Sequence, residues 1–153
     1  MENKENLEKA RRKVYFFFLI SISVFVINSL FKLAALQNKC FIFCLNAVTN
    51  AGAAFSLFEN FSFIQALLII IALAVLFLTI YFYIKHSDQS KLILWALPLI
   101  FIGTFSNLLD RIVYGYVVDY IPFFSSALFT FNIADLSNFI GVVLLIVFLL
   151  RKK

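Results

Sequence analysis

The sequence predicts an all-α membrane protein of four transmembrane helices with both termini in the cytoplasm. Three observations predict it. The chain is 63% apolar and only 14% charged, whereas a soluble domain is nearer half apolar and a quarter charged. Its apolar residues gather into four runs, each long enough to cross a hydrocarbon layer about 30 Å thick. Its basic residues fall on alternate connections between those runs. Lys4, Lys9, Arg11, Arg12 and Lys13, then Lys85 and Lys91, then Arg151, Lys152 and Lys153 make up ten of the thirteen Lys and Arg. The positive-inside rule puts those connections in the cytoplasm, which accounts for the net charge of +5 without nucleic acid. No basic face is written into the chain, so nucleic-acid binding is not expected.

The first span is expected at 14–31, behind a polar, basic tail. A secretory signal peptide would look similar at its start. This apolar run exceeds the usual 7–15 residues, however, and Ala34-Ala35 is a poor cleavage site, so the span reads as retained. Residues 33–60 form the first outer connection. Within it Phe41 to Thr49 reads as a short strand, and Gly52 after Asn50 suggests a tight turn. Cys40 and Cys44 have no third ligand nearby and read as two thiols rather than a metal site. A disulfide between them requires a position outside the cytoplasm.

The second span is expected at 61–84. At about 1.5 Å per residue it reaches roughly 36 Å. The polar loop 85–91 leads to the third span at 92–109, with Pro98 inside as a source of a kink. Residues 110–132 make the second outer connection, and the fourth span covers 133–150. Trp95, Tyr81 and Tyr83 fall near the inner interface, where aromatic belts belong. One domain covers 1–153, with no repeat or linker.

The stretch from Asn107 to Asp135 stands out. It carries Asp110, Asp119 and Asp135, three of the four Asp in the chain, with Arg111, Asn107 and Asn132. Ionisable groups at membrane depth cost roughly 2.5–3.5 kcal/mol each and default to a functional reading. The topology carries these groups to one outer layer, together with Asn28 and Lys32 from the end of span one and with Asn50 and Gly52. Two carboxylates close together in a partly dry site share a proton near neutral pH. One can then take a proton from water while the other polarises a carbonyl, as in aspartic proteases. Asp119 and Asp135 are the candidate pair. Asp135 also suits a helix cap, and Asp110 beside Arg111 suits a simple ion pair. A transporter or proton channel built on the Asp cluster, or a divalent-metal enzyme with three carboxylate ligands, remains open at this point.

Three blocks resemble the lipoprotein signal peptidases, or type II signal peptidases. Asn50-Ala-Gly52-Ala-Ala-Phe-Ser56 resembles the family's NxGAAFS. Asn107-Leu-Leu-Asp110-Arg111 with Gly115-Tyr-Val-Val-Asp119 resembles NxxDRxxxGxVVD, and Phe131-Asn132-Ile-Ala-Asp135 resembles FNxAD. The resemblance implies an aspartic endopeptidase of the bacterial inner membrane, multi-pass, with its site near the extracytoplasmic face. It would need neither metal nor cofactor and would act among membrane lipids. Its substrates would be prolipoproteins, cut just before a diacylglyceryl-modified Cys. By position Asp119 and Asp135 match the catalytic pair. Asn50, Gly52, Asn107, Arg111 and Asn132 match residues that line the substrate site or steady the pair, and Asp110 and Lys32 match structural positions. The resemblance also implies a small extracytoplasmic β-rich cradle, here from about Phe41 to Phe58. Three positions depart from the pattern: Asn28 stands for Asp in DxxxK, Ser106 for Gly before NxxDR, and Tyr120 for Phe. The first removes a charge from the site's edge.

Overall fold

Four long helices and four short strands make up the computed structural model, which describes residues 2–37, 47–52, 63–123 and 126–151. In chain order they are α1 (Glu2–Leu36), β1 (Val48–Asn50), α2 (Ile64–His86), α3 (Lys91–Tyr114), β2 (Val117–Asp119), β3 (Ile121–Phe123), β4 (Ser126–Phe131) and α4 (Ile133–Arg151). All four helices are long and apolar enough to cross a membrane. Half of the most apolar stretch of α3 is buried, against 11–17% for the other three. The third helix is therefore the axis of the bundle. The other helices turn Leu19, Phe77, Ile84, Phe139 and Leu150 outward, a surface suited to lipid rather than water.

Two helices run further than hydropathy suggests. The first begins in the polar tail, whose Glu, Lys and Arg are good helix formers, and the tail is tied down at its far side. Lys9 and Lys13 both pair with Asp88 in the connection between α2 and α3, and the Tyr83 hydroxyl donates to the Lys13 carbonyl at 2.8 Å. Tyr83 is accordingly buried against α1. The third helix does not stop at Leu109. It continues through Asp110 and Arg111 to Tyr114 and ends where Gly115 adopts φ 78°, its N–H donating to the Arg111 carbonyl at 3.1 Å. Only a residue without a Cβ takes that left-handed turn freely. The polar end of α3 is thus helical, and the second outer connection begins at Gly115.

Close approach of α3 to α4 depends on two glycines. A Cβ on Gly103 would lie 2.4 Å from the Ala134 carbonyl oxygen, and one on Gly141 would lie 2.8 Å from that of Ala96. Small residues let membrane helices approach to backbone contact. Pro98 lies in this helix without interrupting it.

Strand structure is distributed differently from expectation. Of the strand expected at Phe41–Thr49, the described part begins at Val48, and residues 41–46 lie outside the described residues, as do Cys40 and Cys44. Most of the expected cradle at 41–58 likewise lies outside them. Three of the four described strands instead belong to the connection between α3 and α4. The first, β1, pairs antiparallel with β2, with Val48 opposite Asp119 and Asn50 opposite Val117. The other pair, β3 and β4, forms a hairpin with Ile121 opposite Phe131. A carbonyl-rich sheet edge needs partners, and β1 supplies them to the strand that carries Asp119.

Candidate active site

The polar residues singled out between Asn107 and Asp135, with Lys32, Asn50 and Gly52, meet at one end of the bundle, where α1 and α3 finish and α4 begins. Asn132 is the N-cap of α4. Its side-chain Oδ1 accepts from the Asp135 N–H at 3.0 Å, and its own N–H donates to Asp135 Oδ2 at 3.0 Å. This is a reciprocal capping box, built from Asn and Asp. Asp135 is therefore the third residue of the helix and not its cap. It sits where the helix N-terminus favours a negative charge.

The same Asn132 reaches the second carboxylate. Its Nδ2 donates to Asp119 Oδ1 at 2.7 Å and lies 3.2 Å from Asn107 Oδ1. Asn107, on α3, donates in turn to Asp135 Oδ1 at 2.7 Å. Asn50 donates to the other Asp119 oxygen at 3.2 Å. Its Oδ1 accepts from the Gly52 N–H at 3.1 Å, which is the tight turn expected there. The Gly52 carbonyl takes a bond from Arg111 at 3.0 Å, and Arg111 also reaches the Asn107 carbonyl at 3.3 Å. Seven residues from four parts of the chain thus form one hydrogen-bonded cluster.

Asp119 is 2% exposed. Burial, and next the charge of Asp135, raise its pKa from the ordinary carboxylate value to about 6, against the opposing bonds from Asn50 and Asn132. Asp135 is half-buried, so one carboxyl group faces inward and its neighbour reaches the surface.

Asp110 belongs to a different arrangement. Its partner is Lys32 on α1, at 2.6 Å, and not the adjacent Arg111. Consecutive residues on a helix point about 100° apart and do not face one another. Asp110 Oδ2 also accepts from the Val118 N–H at 3.1 Å, one residue before Asp119. The pair of Lys32 and Asp110 thereby fixes the strand that delivers Asp119. Among the described residues no three His, Cys, Asp or Glu side chains gather as metal ligands.

Sequence reasoning missed one set of contacts. Asn28 and Tyr120 are fully buried. Asn28 Nδ2 donates to Ser106 Oγ at 2.8 Å, the Tyr120 hydroxyl donates to Asn28 Oδ1 at 2.8 Å, and it accepts from the Ile133 N–H at 3.2 Å. The signal was available, because these are the three positions where the chain departs from the pattern it resembles.

Comparison with known proteins decides the family. Residues 13–151 match the family model described as signal peptidase (SPase) II. The chain belongs to the signal peptidase II family. A lipoprotein signal peptidase of Buchnera aphidicola is 37% identical over 153 residues, covering 89% of this chain and 95% of the relative. That of Haemophilus influenzae is 35% identical over 141 residues, covering 85% and 82%. A bacterial membrane enzyme solved by the in meso method at 1.9 Å resolution superposes with a TM-score of 0.76 at 29% identity, over 90% of this chain and 94% of that one. As a signal peptidase II, the chain is a multi-pass membrane peptidase, and its bonded cluster of polar residues is the natural place to look for the chemistry.

Proposed function

We propose that this peptidase is of the aspartic type and that Asp119 and Asp135 are its reacting pair. The activity class follows from the family: a membrane endopeptidase that removes signal peptides from prolipoproteins. The observation that carries the aspartic reading is the grip of one residue, Asn132, on both carboxyl groups. With the Asp119 pKa raised to about 6, the pair holds a single proton in the mildly acidic range, below that pH. Protonated Asp119 donates to the scissile carbonyl oxygen while ionised Asp135 takes a proton from the attacking water. The tetrahedral intermediate then collapses. Asp135 gives its proton to the leaving amine as the C–N bond breaks, and Asp119 recovers the proton from the diol. Asn107 holds Asp135 in place, and Asn50 and the Arg111–Gly52 contact fix the wall of the site.

The cluster faces the extracytoplasmic side of the cell membrane in this reading. Support comes from the opposite end of the bundle, where Lys9, Lys13, Lys85, Lys91 and Arg151 collect, as cytoplasmic ends do. A substrate anchored by a diacylglyceryl group is presented at such an interface, and each buried methylene contributes about 0.8 kcal/mol to holding it there. A transporter would place these polar groups near mid-membrane, not at one end. The test is cleavage of a diacylated prolipoprotein by purified Asp119→Asn and Asp135→Asn. Each is expected to lose about 10²- to 10⁴-fold in turnover, and wild-type turnover by either rules the pair out.

A further inference from the structure

Three positions at which this chain departs from the pattern it resembles meet in space. They lie far apart in sequence, on α1, on α3 and between β2 and β3, yet they make one continuous hydrogen-bonded line. It runs from the Ile133 N–H to the Tyr120 hydroxyl, on to Asn28 Oδ1, and from Asn28 Nδ2 to Ser106 Oγ. All three side chains are buried, and buried polar groups are costly unless paired.

Each of the three side chains takes a partner from the others. With Phe at 120, Asn28 Oδ1 would lose its donor and the Ile133 N–H its acceptor. With Gly at 106, Asn28 Nδ2 would have no acceptor. With Asp at 28, a further carboxylate would stand at zero exposure in a neighbourhood that already holds Asp110, Asp119 and Asp135. Asn, with one donor group and one acceptor, completes the line without adding charge.

One end of the line bears on the reacting groups. Ile133 is the first residue of α4, directly after Asn132 and two before Asp135. Tyr120 is the residue after Asp119, and its backbone N–H donates to the Phe131 carbonyl at 3.1 Å. A single side chain is thus covalently next to one reacting carboxylate and hydrogen-bonded to the turn that carries the other. We infer that Ser106, Asn28 and Tyr120 act together as positioning residues that set the first turn of α4, and with it Asn132 and Asp135, against Asp119. The inference rests on the reading of Asp119 and Asp135 as the reacting pair.

A double-mutant cycle of Tyr120→Phe and Asn28→Leu in the purified, full-length enzyme tests it, with kcat and KM measured on a diacylated prolipoprotein. Tyr120→Phe is expected to lower kcat about tenfold with KM changed less than about twofold. The double variant is expected to fall no lower than the worse single one, because either change breaks the same line. Wild-type kcat in Tyr120→Phe overturns the inference. So does a rise in KM at constant kcat, or losses that multiply in the double variant. Thermal unfolding of the same proteins is followed in parallel, and coupling there with none in kcat reduces the line to packing and also overturns it. If Tyr120→Phe does not fold, Ser106→Ala, which clips only the far end, takes its place in the cycle under the same criteria. Wild-type turnover in Asp119→Asn, a variant that leaves the line intact, would instead remove the reading of the pair.

Discussion

Lys32 offers the sharpest measure of how the scaffold holds the site. Its ammonium meets the Asp110 carboxylate at 2.6 Å, with the two side chains 9% and 11% exposed. Replacing Lys32 with Met keeps the length and apolar stem but leaves a buried carboxylate without its cation. Breaking one side of such a pair costs about 3–5 kcal/mol, mostly the penalty of the stranded charge. The double variant Lys32→Met, Asp110→Asn strands no charge and keeps an oxygen to accept from the Val118 N–H, so it should recover all but about 1–2 kcal/mol. The assay is reversible unfolding of the purified protein in mixed micelles, single and double variants side by side. Turnover should follow the same order, since Val118 precedes Asp119. A loss below about 1 kcal/mol in Lys32→Met, or a double variant no better than the single, would refute this account of the pair.

Two further outcomes follow from the site's geometry. In the proposed mechanism Asp119 acts in its protonated form, so cleavage is expected below its pKa and lost as pH rises through about 6. The bond from Asn50 favours the ionised form, so Asn50→Ala should move the alkaline limb of kcat/KM to higher pH, and a limb that stays or moves down counts against the assignment. Gly103→Val would drive a side chain into the Ala134 carbonyl and Asn138. It should cost about 1–3 kcal/mol and lower turnover as well, because Asn107 bonds Asp135 from the next turn of α3; wild-type stability in that variant would contradict the close packing of α3 on α4.

Much of this architecture is legible in the sequence because the bilayer constrains it. Four apolar runs fix the number of spanning helices, and the Asp-rich stretch marks the end of the bundle where the candidate site residues gather. Helix ends are less legible. Hydropathy falls at Asp110, yet the backbone stays helical because its polar side chains find Lys32, Gly52 and Asn107. Gly115 was the readable stop signal, five residues further on. The partner of Asp110 could not be read from spacing, since Lys32 lies 78 residues away and only the crossing of α1 and α3 brings it near. The strands at 117–131 were hidden for a similar reason. They are short and pair across the chain, so their stabilisation comes from partners rather than from alternation within themselves.

Asn132 concentrates the argument about the site, because it does two things that can be separated. As a cap it needs only an acceptor, and Ser caps a helix about as well as Asn. As a bridge it needs a donor as well, for Nδ2 reaches Asp119 Oδ1, Asn107 Oδ1 and the Val118 carbonyl. Asn132→Ser therefore keeps the start of α4 while releasing Asp119 from Asp135. The loss in unfolding free energy should stay near 1–2 kcal/mol, the scale of lost buried hydrogen bonds. Turnover should fall further, by roughly ten- to a hundredfold, because the bond lost is one to a proposed reacting group. If Asn132→Ser unfolds like the wild type and also cleaves like it, then capping alone explains the residue, and the contact between Asn132 and Asp119 is incidental to catalysis.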